Sequence, residues 1–403
     1  MSTICLKEIK KAAVTIKDRV IRTPLVYSST LSRRFGGRIF LKLENLQKTG
    51  SFKIRGATHK ILTRKKEIGP KGVVAASAGN HGQGVALAAR EAGIHSTIVM
   101  PEWVSISKQE ATRGYGGSVL IEGDSIQKSI EIAMDLAGKD GSFIHPFDDI
   151  EIITGQGTIA LEILEDQSDI DMIVVPIGGG GLVSGIASAA KAIRPAMKII
   201  GVQSAACPSA YQSLKKGKIV QVSAKPSIAD GMAVKQVGRL NFDIIRGLVD
   251  DVALVNEKHI SLAILTLLER KKILAEGAGA APLAALMNGS IKVSENEKVV
   301  LIISGGNVDS PLLGRIISQG LARNGRIMRF LVRLNDTPGA LAGLLQLIAG
   351  LKANVLDIHH DRFIKDGPLY VSHVKLELET RGAKHVKEIE RELKAVGYNM
   401  ELE

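Results

Sequence analysis

The apolar positions of the chain fall into short, largely uninterrupted runs at 72–76, 96–100, 118–121, 172–176, 198–202 and 298–303, and an alternating run at 39–43 precedes them. Runs of that length bounded by glycine, proline or charge predict β-strands, and continuous rather than alternating runs predict strands covered on both faces. Between them, stretches such as 82–91 and 182–193 place apolar residues at three- and four-residue spacing, which predicts helices with one buried face. The resulting beat of strand, helix and strand is that of a mostly parallel sheet flanked by helices. A helix over 6–20 opens the chain, and Pro24 in Arg22-Thr23-Pro24-Leu25 forces an extended segment after it.

The beat divides into two blocks, about 45–145 and 150–320, with the amino-terminal segment crossing to complete the second. A cleft between two such lobes is a favoured place for a cofactor. After Arg323-Asn324-Gly325-Arg326 the pattern changes. A strand at 328–334, a turn at 335–339, a helix to about 350, strands at 355–363 and 369–378, a helix at 384–396 and a short last strand make a βαββαβ unit, long enough for a small separate domain. The expected division is therefore 1–325 and 326–403.

Composition narrows the function. Of the 403 residues, 45% are apolar and 23% charged, and no apolar run approaches the ~18 residues of a membrane span, so no membrane partner is expected. The start, Met-Ser-Thr-Ile-Cys-Leu-Lys-Glu, lacks a basic region leading into an apolar one, which points to the cytoplasm. Cys5 and Cys207 lie far apart and outside any metal-ligand spacing, which excludes a disulfide framework and a cysteine zinc site. A formal charge of +12 raises nucleic acid as a partner, but aromatics are only 3% and the basic residues are scattered. Clusters such as Arg64-Lys65-Lys66 and Arg270-Lys271-Lys272 fit exposed helix faces, so no nucleic-acid partner is expected.

Five stretches carry candidate chemistry. In Ser51-Phe52-Lys53-Ile54-Arg55-Gly56-Ala57 the lysine falls in the first turn of a helix, where the macrodipole disfavours a cation. Such a lysine either swings out to solvent or is held, and a held, desolvated one has its neutral, nucleophilic amine favoured. Strand 172–176 runs into Gly178-Gly179-Gly180-Gly181 and a helix starting near Leu182, a place where backbone N–H groups converge on a phosphate. A dinucleotide fingerprint fails there, because from Gly179 the sixth position is Ser184, and the next strand ends in Val202-Gln203-Ser204 where a ribose-binding acid is required. Ala76-Ser77-Ala78-Gly79-Asn80-His81-Gly82-Gln83 leads from a strand into a helix that Asn80 can cap. Strand 298–303 ends in Ser304-Gly305-Gly306-Asn307, and Glu276 lies in Ala275-Glu276-Gly277-Ala278-Gly279-Ala280, where it also reads as an exposed carboxylate at a helix start.

The segment 51–57 resembles the lysine-bearing segment of the pyridoxal-phosphate lyases of the threonine dehydratase family, and the other stretches follow in that family's order. The resemblance implies an α/β, two-lobed fold of the fold-type II class, similar to the tryptophan synthase β chain, with pyridoxal 5'-phosphate as cofactor. It implies that Lys53 carries the cofactor and moves the substrate's α-proton. Phe52, Gly178, Gly179, Gly180, Gly181, Leu182 and Ser304 would bind the cofactor together with Asn80, which would touch its phenolic oxygen. Ser304 would face the pyridine nitrogen, where a hydroxyl in place of a carboxylate leaves the ring closer to neutral and suits β-elimination. Ser77, Ala78, Gly79, His81 and Glu276 would line the substrate, with the His81 side chain structural rather than acid or base.

The implied reaction is L-threonine to 2-oxobutanoate and ammonia, with L-serine to pyruvate beside it. A serine/threonine racemase or another β-elimination or β-replacement enzyme of the same fold is the alternative. A regulator with a dead catalytic shell is disfavoured by the intact set Lys53, Asn80, glycine loop and Ser304. Relatives that bind a divalent cation carry carboxylates after the sixth strand, whereas here 201–207 reads Gly-Val-Gln-Ser-Ala-Ala-Cys, so no metal is expected. In the tail, Leu334-Asn335-Asp336-Thr337-Pro338-Gly339-Ala340-Leu341 followed by Ala353-Asn354-Val355-Leu356 is similar to the ACT regulatory domain. That likeness implies a homodimer or homotetramer and Asp336, Gly339 and Asn354 as candidates for binding a branched-chain amino acid effector, or else a domain that serves association alone.

Overall fold

Parallel strands buried on both faces read as apolar runs, and the computed structural model builds its sheets on those runs; it describes residues 4–138, 142–362 and 369–402. In chain order the strands are β1 (Leu25–Tyr27), β2 (Arg38–Lys42), β3 (Val73–Ala76), β4 (Ser96–Met100), β5 (Ser118–Ile121), β6 (Ser142–Phe143), β7 (Met172–Pro176), β8 (Lys198–Ser204), β9 (Asp251–Val255), β10 (Lys298–Ile302), β11 (Ile327–Asn335), β12 (Asn354–Asp361), β13 (Val371–Glu379) and β14 (Met400–Leu402). Contacts divide the chain into two units, Met1–Asp309 and Ser310–Glu403.

The first unit contains two sheets. The larger has the order β1-β2-β10-β7-β8-β9, with β1 antiparallel to its neighbour and the other pairs parallel. All five residues of β7 are buried. The smaller sheet, β5-β4-β3-β6, is parallel throughout and is formed by chain inserted between β2 and β7. The amino-terminal segment thus crosses to complete the larger lobe, and each lobe has its own core. Because β2, β10 and β7 run parallel side by side, their carboxyl ends lie at one edge, where open α/β sheets place ligands. The three ends lead into the Lys53 segment, Ser304 and the glycine loop; β3 of the smaller sheet leads into Ser77.

The opening helix is shorter than periodicity implies, Leu6–Ile16 rather than 6–20. Its last turn tightens, with the N–H groups of Arg19 and Val20 both donating to Ile16 O at 2.9 and 3.1 Å.

In the second unit the antiparallel order is β12-β13-β11-β14, and strands and helices follow the expected βαββαβ succession. Along β11 the alternate residues Met328, Phe330, Val332 and Leu334 are buried. Leu344 and Ile348 of helix Ala340–Gly350 and Ile389 and Leu393 of helix Ala383–Ala395 belong to the same core. Helix Ser310–Arg323 groups with this unit. The expected strand end at Phe363 lies outside the described residues. Among the described residues no helix is long and apolar enough to cross a membrane.

Candidate active site around Lys53

Lys53 is the first residue of helix Lys53–Thr63. The start of that helix is stitched to the end of β10: Phe52 N–H donates to Ser304 O at 3.0 Å, and Ser51 bridges Gly305. The Lys53 Nζ donates to Pro146 O at 2.7 Å and lies 5.3 Å from the centre of the Phe52 ring. Desolvation lowers its pKa from 10.5 to about 8, against the opposing pull of the Glu276 charge. The amine is therefore accessible in its neutral form near neutral pH.

Two residues on, Arg55 is fully buried between Glu44 (2.8 Å) and Glu162 (2.6 Å), and the buried Lys42 Nζ also reaches Glu162 at 2.6 Å. This cluster ties the Lys53 helix to β2 and to helix Ile150–Asp166. Its buried charges are matched within the cluster, since Thr23 adds a hydroxyl to Glu44 and its carbonyl to Lys42. Gly56 is where the two helices touch: a Cβ there would lie 2.8 Å from Ile152 O. Packing thus accounts for the Arg-Gly pair that follows Lys53.

After β3, Ser77 Oγ accepts from Gly79 N–H at 3.0 Å and closes the loop tightly. Helix Asn80–Ala92 begins at the next residue, with Gly79 in the cap position. The capping reading of Asn80 is thereby corrected. Its Nδ2 instead donates to Glu276 at 2.8 and 3.0 Å, and its Oδ1 accepts from Asn307 Nδ2 at 2.7 Å. The His81 side chain is buried, with Nε2 donating to Ile144 O at 2.9 Å. Burial, with the Lys53 charge, lowers its pKa to about 3, so it stays neutral and structural. What Ala78, Gly79 and His81 can offer a ligand is backbone, at a helix start whose first N–H groups lack intrahelical partners.

The glycine loop lies between β7 and helix Gly181–Ile193. A Cβ at Gly179 would fall 2.3 Å from the Phe147 ring, one at Gly180 2.7 Å from Asn241 Cβ, one at Gly178 2.7 Å from Gly231 O, and one at Gly181 2.9 Å from Phe147 O. Neighbouring chain therefore leaves room for backbone only, and Gly180 also takes a left-handed φ of 104°. The Leu182 side chain belongs to the core of the larger lobe, so only its backbone lies at the end of the glycine loop.

Glu276 is the cap residue of helix Gly277–Met287 and is only 6% exposed, so the exposed-carboxylate reading is also corrected. Burial, then the charge of Asp230, raises its pKa to about 7. Its depth explains Gly305, where a Cβ would lie 2.5 Å from Glu276 Oε1. Ser304 is buried at the end of β10. Lys53, Asn80, Glu276, Ser304 and, through the 146–147 segment, the glycine loop are thus brought together.

Sequence reasoning missed Pro146, Phe147, Asn307 and the pair Lys108–Asp230 at 2.9 Å. In the second unit, Asp336 pairs with Arg362 at 3.2 Å, and Gly339 starts helix Ala340–Gly350 with a φ of 91°. Asn354 pairs in register with Glu379, which is opposite Ile327, whereas Asp336 follows Asn335 at the other end of β11. One copy of the unit therefore places Asn354 at the opposite end of the sheet from Asp336 and Gly339.

Pyridoxal phosphate requires a neutral lysine, an anion cradle and a donor for its phenolic oxygen, and these residues fit it. Lys53 has the desolvated amine, the 178–182 segment a run of backbone N–H groups at the start of helix Gly181–Ile193, and Asn80 an Nδ2 turned toward Glu276. The buried Ser51 Oγ beside Lys53 lacks a partner among the described residues, as a site awaiting a polar group would leave it.

Residues 16–305 match the model of the pyridoxal-phosphate dependent enzyme family. The chain is 49% identical over 400 residues to an L-threonine ammonia-lyase of Thermotoga maritima, with 99% of each chain covered. Among solved structures, a T.th. threonine deaminase is 38% identical with a TM-score of 0.71, covering 76% of this chain and 99% of its own. Maize serine racemase is 37% identical with a TM-score of 0.75, covering 80% and 99% respectively.

Proposed function

Since the chain belongs to the family of pyridoxal-phosphate-dependent enzymes that includes the L-threonine ammonia-lyases, we propose that it converts L-threonine to 2-oxobutanoate and ammonia, and L-serine to pyruvate and ammonia. The observation that carries this reading is the Lys53 amine, desolvated at a helix start and aimed by Pro146 O. When bound, the cofactor supplies the electron sink that acidifies the substrate's Cα–H and lets the β-hydroxyl depart as water.

The chain's own residues do the rest. Lys53 Nζ, its pKa lowered to about 8, is the base for the α-proton. N–H groups of 178–182 hold the phosphate at the start of a helix, where the dipole favours an anion. Asn80 Nδ2 donates to the phenolic oxygen, and Ser304 meets the ring nitrogen without imposing a charge. Ser77 and the backbone of 78–81 receive the substrate carboxylate, again at a helix start, and Glu276 lines the same side.

The second unit acts as an amino-acid-responsive domain in a homo-oligomer. Three features support this: its separate core, its βαββαβ order, and the full-length likeness to the Thermotoga enzyme. The likeness to maize serine racemase keeps racemisation as the second reading.

Purified protein given L-threonine should release 2-oxobutanoate, and Lys53→Ala should abolish this while the thermal midpoint holds. Turnover above the free-cofactor background in that variant refutes the assignment of Lys53. Chiral analysis of recovered serine separates the second reading, since only a racemase accumulates D-serine.

A further inference from the structure

We propose that Asn307 is a positioning residue, which holds the Asn80 amide so that its Nδ2, and not its Oδ1, faces the reaction site. The inference rests on the reading above, in which Asn80 donates to the cofactor's phenolic oxygen.

An amide can be turned over without changing its shape, so its direction must come from neighbours whose hydrogen-bonding sense is fixed. One such neighbour is Thr49 O, a carbonyl that can only accept, and it lies 2.8 Å from Asn307 Nδ2. Asn307 therefore turns its NH2 inward. The same Nδ2 reaches Asn80 Oδ1 at 2.7 Å and Gln83 Oε1 at 3.1 Å. Asn80 consequently meets Asn307 with its oxygen and turns its NH2 toward the Glu276 carboxyl.

Glu276 alone cannot set this direction. With a pKa raised to about 7 by burial it can accept from Nδ2 when ionised or donate to Oδ1 when protonated. Asn307, for its part, has no freedom. Gly306 N–H donates to Gly50 O at 2.9 Å, and a Cβ on Gly50, which has a φ of +69°, would lie 2.3 Å from Asn307 Oδ1. Gly50 thus makes the room in which the Asn307 amide is seated.

The test is a pH titration of the visible absorption of the bound cofactor, in the full chain loaded with pyridoxal phosphate. A donor on the phenolic oxygen favours its deprotonated form, so losing the donor raises the titration midpoint. Asn80→Ala and Asn307→Leu should each raise it by about one pH unit, tenfold in proton affinity. The double variant should shift no further than Asn80→Ala alone, because Asn307 acts only through Asn80. Asn307→Ala loses the donor without adding a charge, and should give the same shift whether or not Asn307→Leu folds. An unchanged midpoint in Asn307→Ala, or shifts that add in the double variant, overturns the proposal while the Asn80→Ala shift stands. A wild-type protein without the visible band, or an Asn80→Ala midpoint equal to wild type, overturns the reading beneath it as well.

Discussion

Lys53 should set the pH at which cofactor-free protein takes up pyridoxal phosphate. Its amine is the nucleophile in that uptake, and only the unprotonated form reacts. Desolvation holds its pKa at about 8 where an ordinary lysine has 10.5. At about pH 7 the first value leaves roughly one amine in eleven neutral and the second about one in three thousand, so the site gains roughly 300-fold in reactive amine. The perturbation is to strip the cofactor with a competing amine and follow its return by stopped-flow absorbance. Below its pKa the lysine is an ammonium, so the rate should fall about tenfold per pH unit lost, bend near pH 8 and stay level above about 9. Lys53→Ala provides the background of non-covalent binding. The Glu276 charge opposes the desolvation of Lys53, so Glu276→Gln should move the bend below 8. A rate that still climbs through about pH 10 would refute the claim that burial, rather than the cofactor, prepares this lysine.

The larger features were legible because the physics that makes them is local. A strand buried on both faces must be apolar throughout, so β3, β4, β7, β8 and β10 announced themselves as runs. β1 and β6, three and two residues long, are too short to carry a period. Helix Gly277–Met287 is buried all round and contains Pro282, so no one-sided pattern marked it. In the site, the glycine loop and Lys53 were legible because their residue types are unusual for their positions. Pro146 was not, since every residue has a carbonyl and only the folded path brings this one to Lys53. Asn80 and Glu276 meet across 196 positions, and Arg55 and Glu162 across 107. The pairing that turned Glu276 from an exposed carboxylate into a buried one is absent from any short window. The buried Glu44–Arg55–Glu162 cluster likewise follows from how β2 and two helices converge, and not from any motif.

Three further outcomes follow from the packing. Gly179→Ala places a methyl 2.3 Å from the Phe147 ring and should cost ~1–3 kcal/mol, with loss of bound cofactor; thermal melting and the visible band read the two effects, and an unshifted band would separate the loop from the cofactor. Arg55→Met leaves the buried Glu44 without its cation and Glu162 with Lys42 alone, and should lower unfolding free energy by ~3–5 kcal/mol in urea titration, whereas a change below ~1 kcal/mol would mean the cluster is not desolvated. The last concerns the second unit. The T.th. threonine deaminase is covered over 99% of its length by 76% of this chain, and the match to the pyridoxal-phosphate family model ends at residue 305, before the second unit. Deleting residues 327–403 should therefore leave threonine turnover in place. It should also remove any response to isoleucine or valine, because an effector alters rate only by binding two states unequally, and the surface proposed to bind it would be gone. Regulation that survives the deletion would put the effector site in the first unit; a full-length protein indifferent to isoleucine, valine and threonine in binding and rate would leave the second unit with association alone.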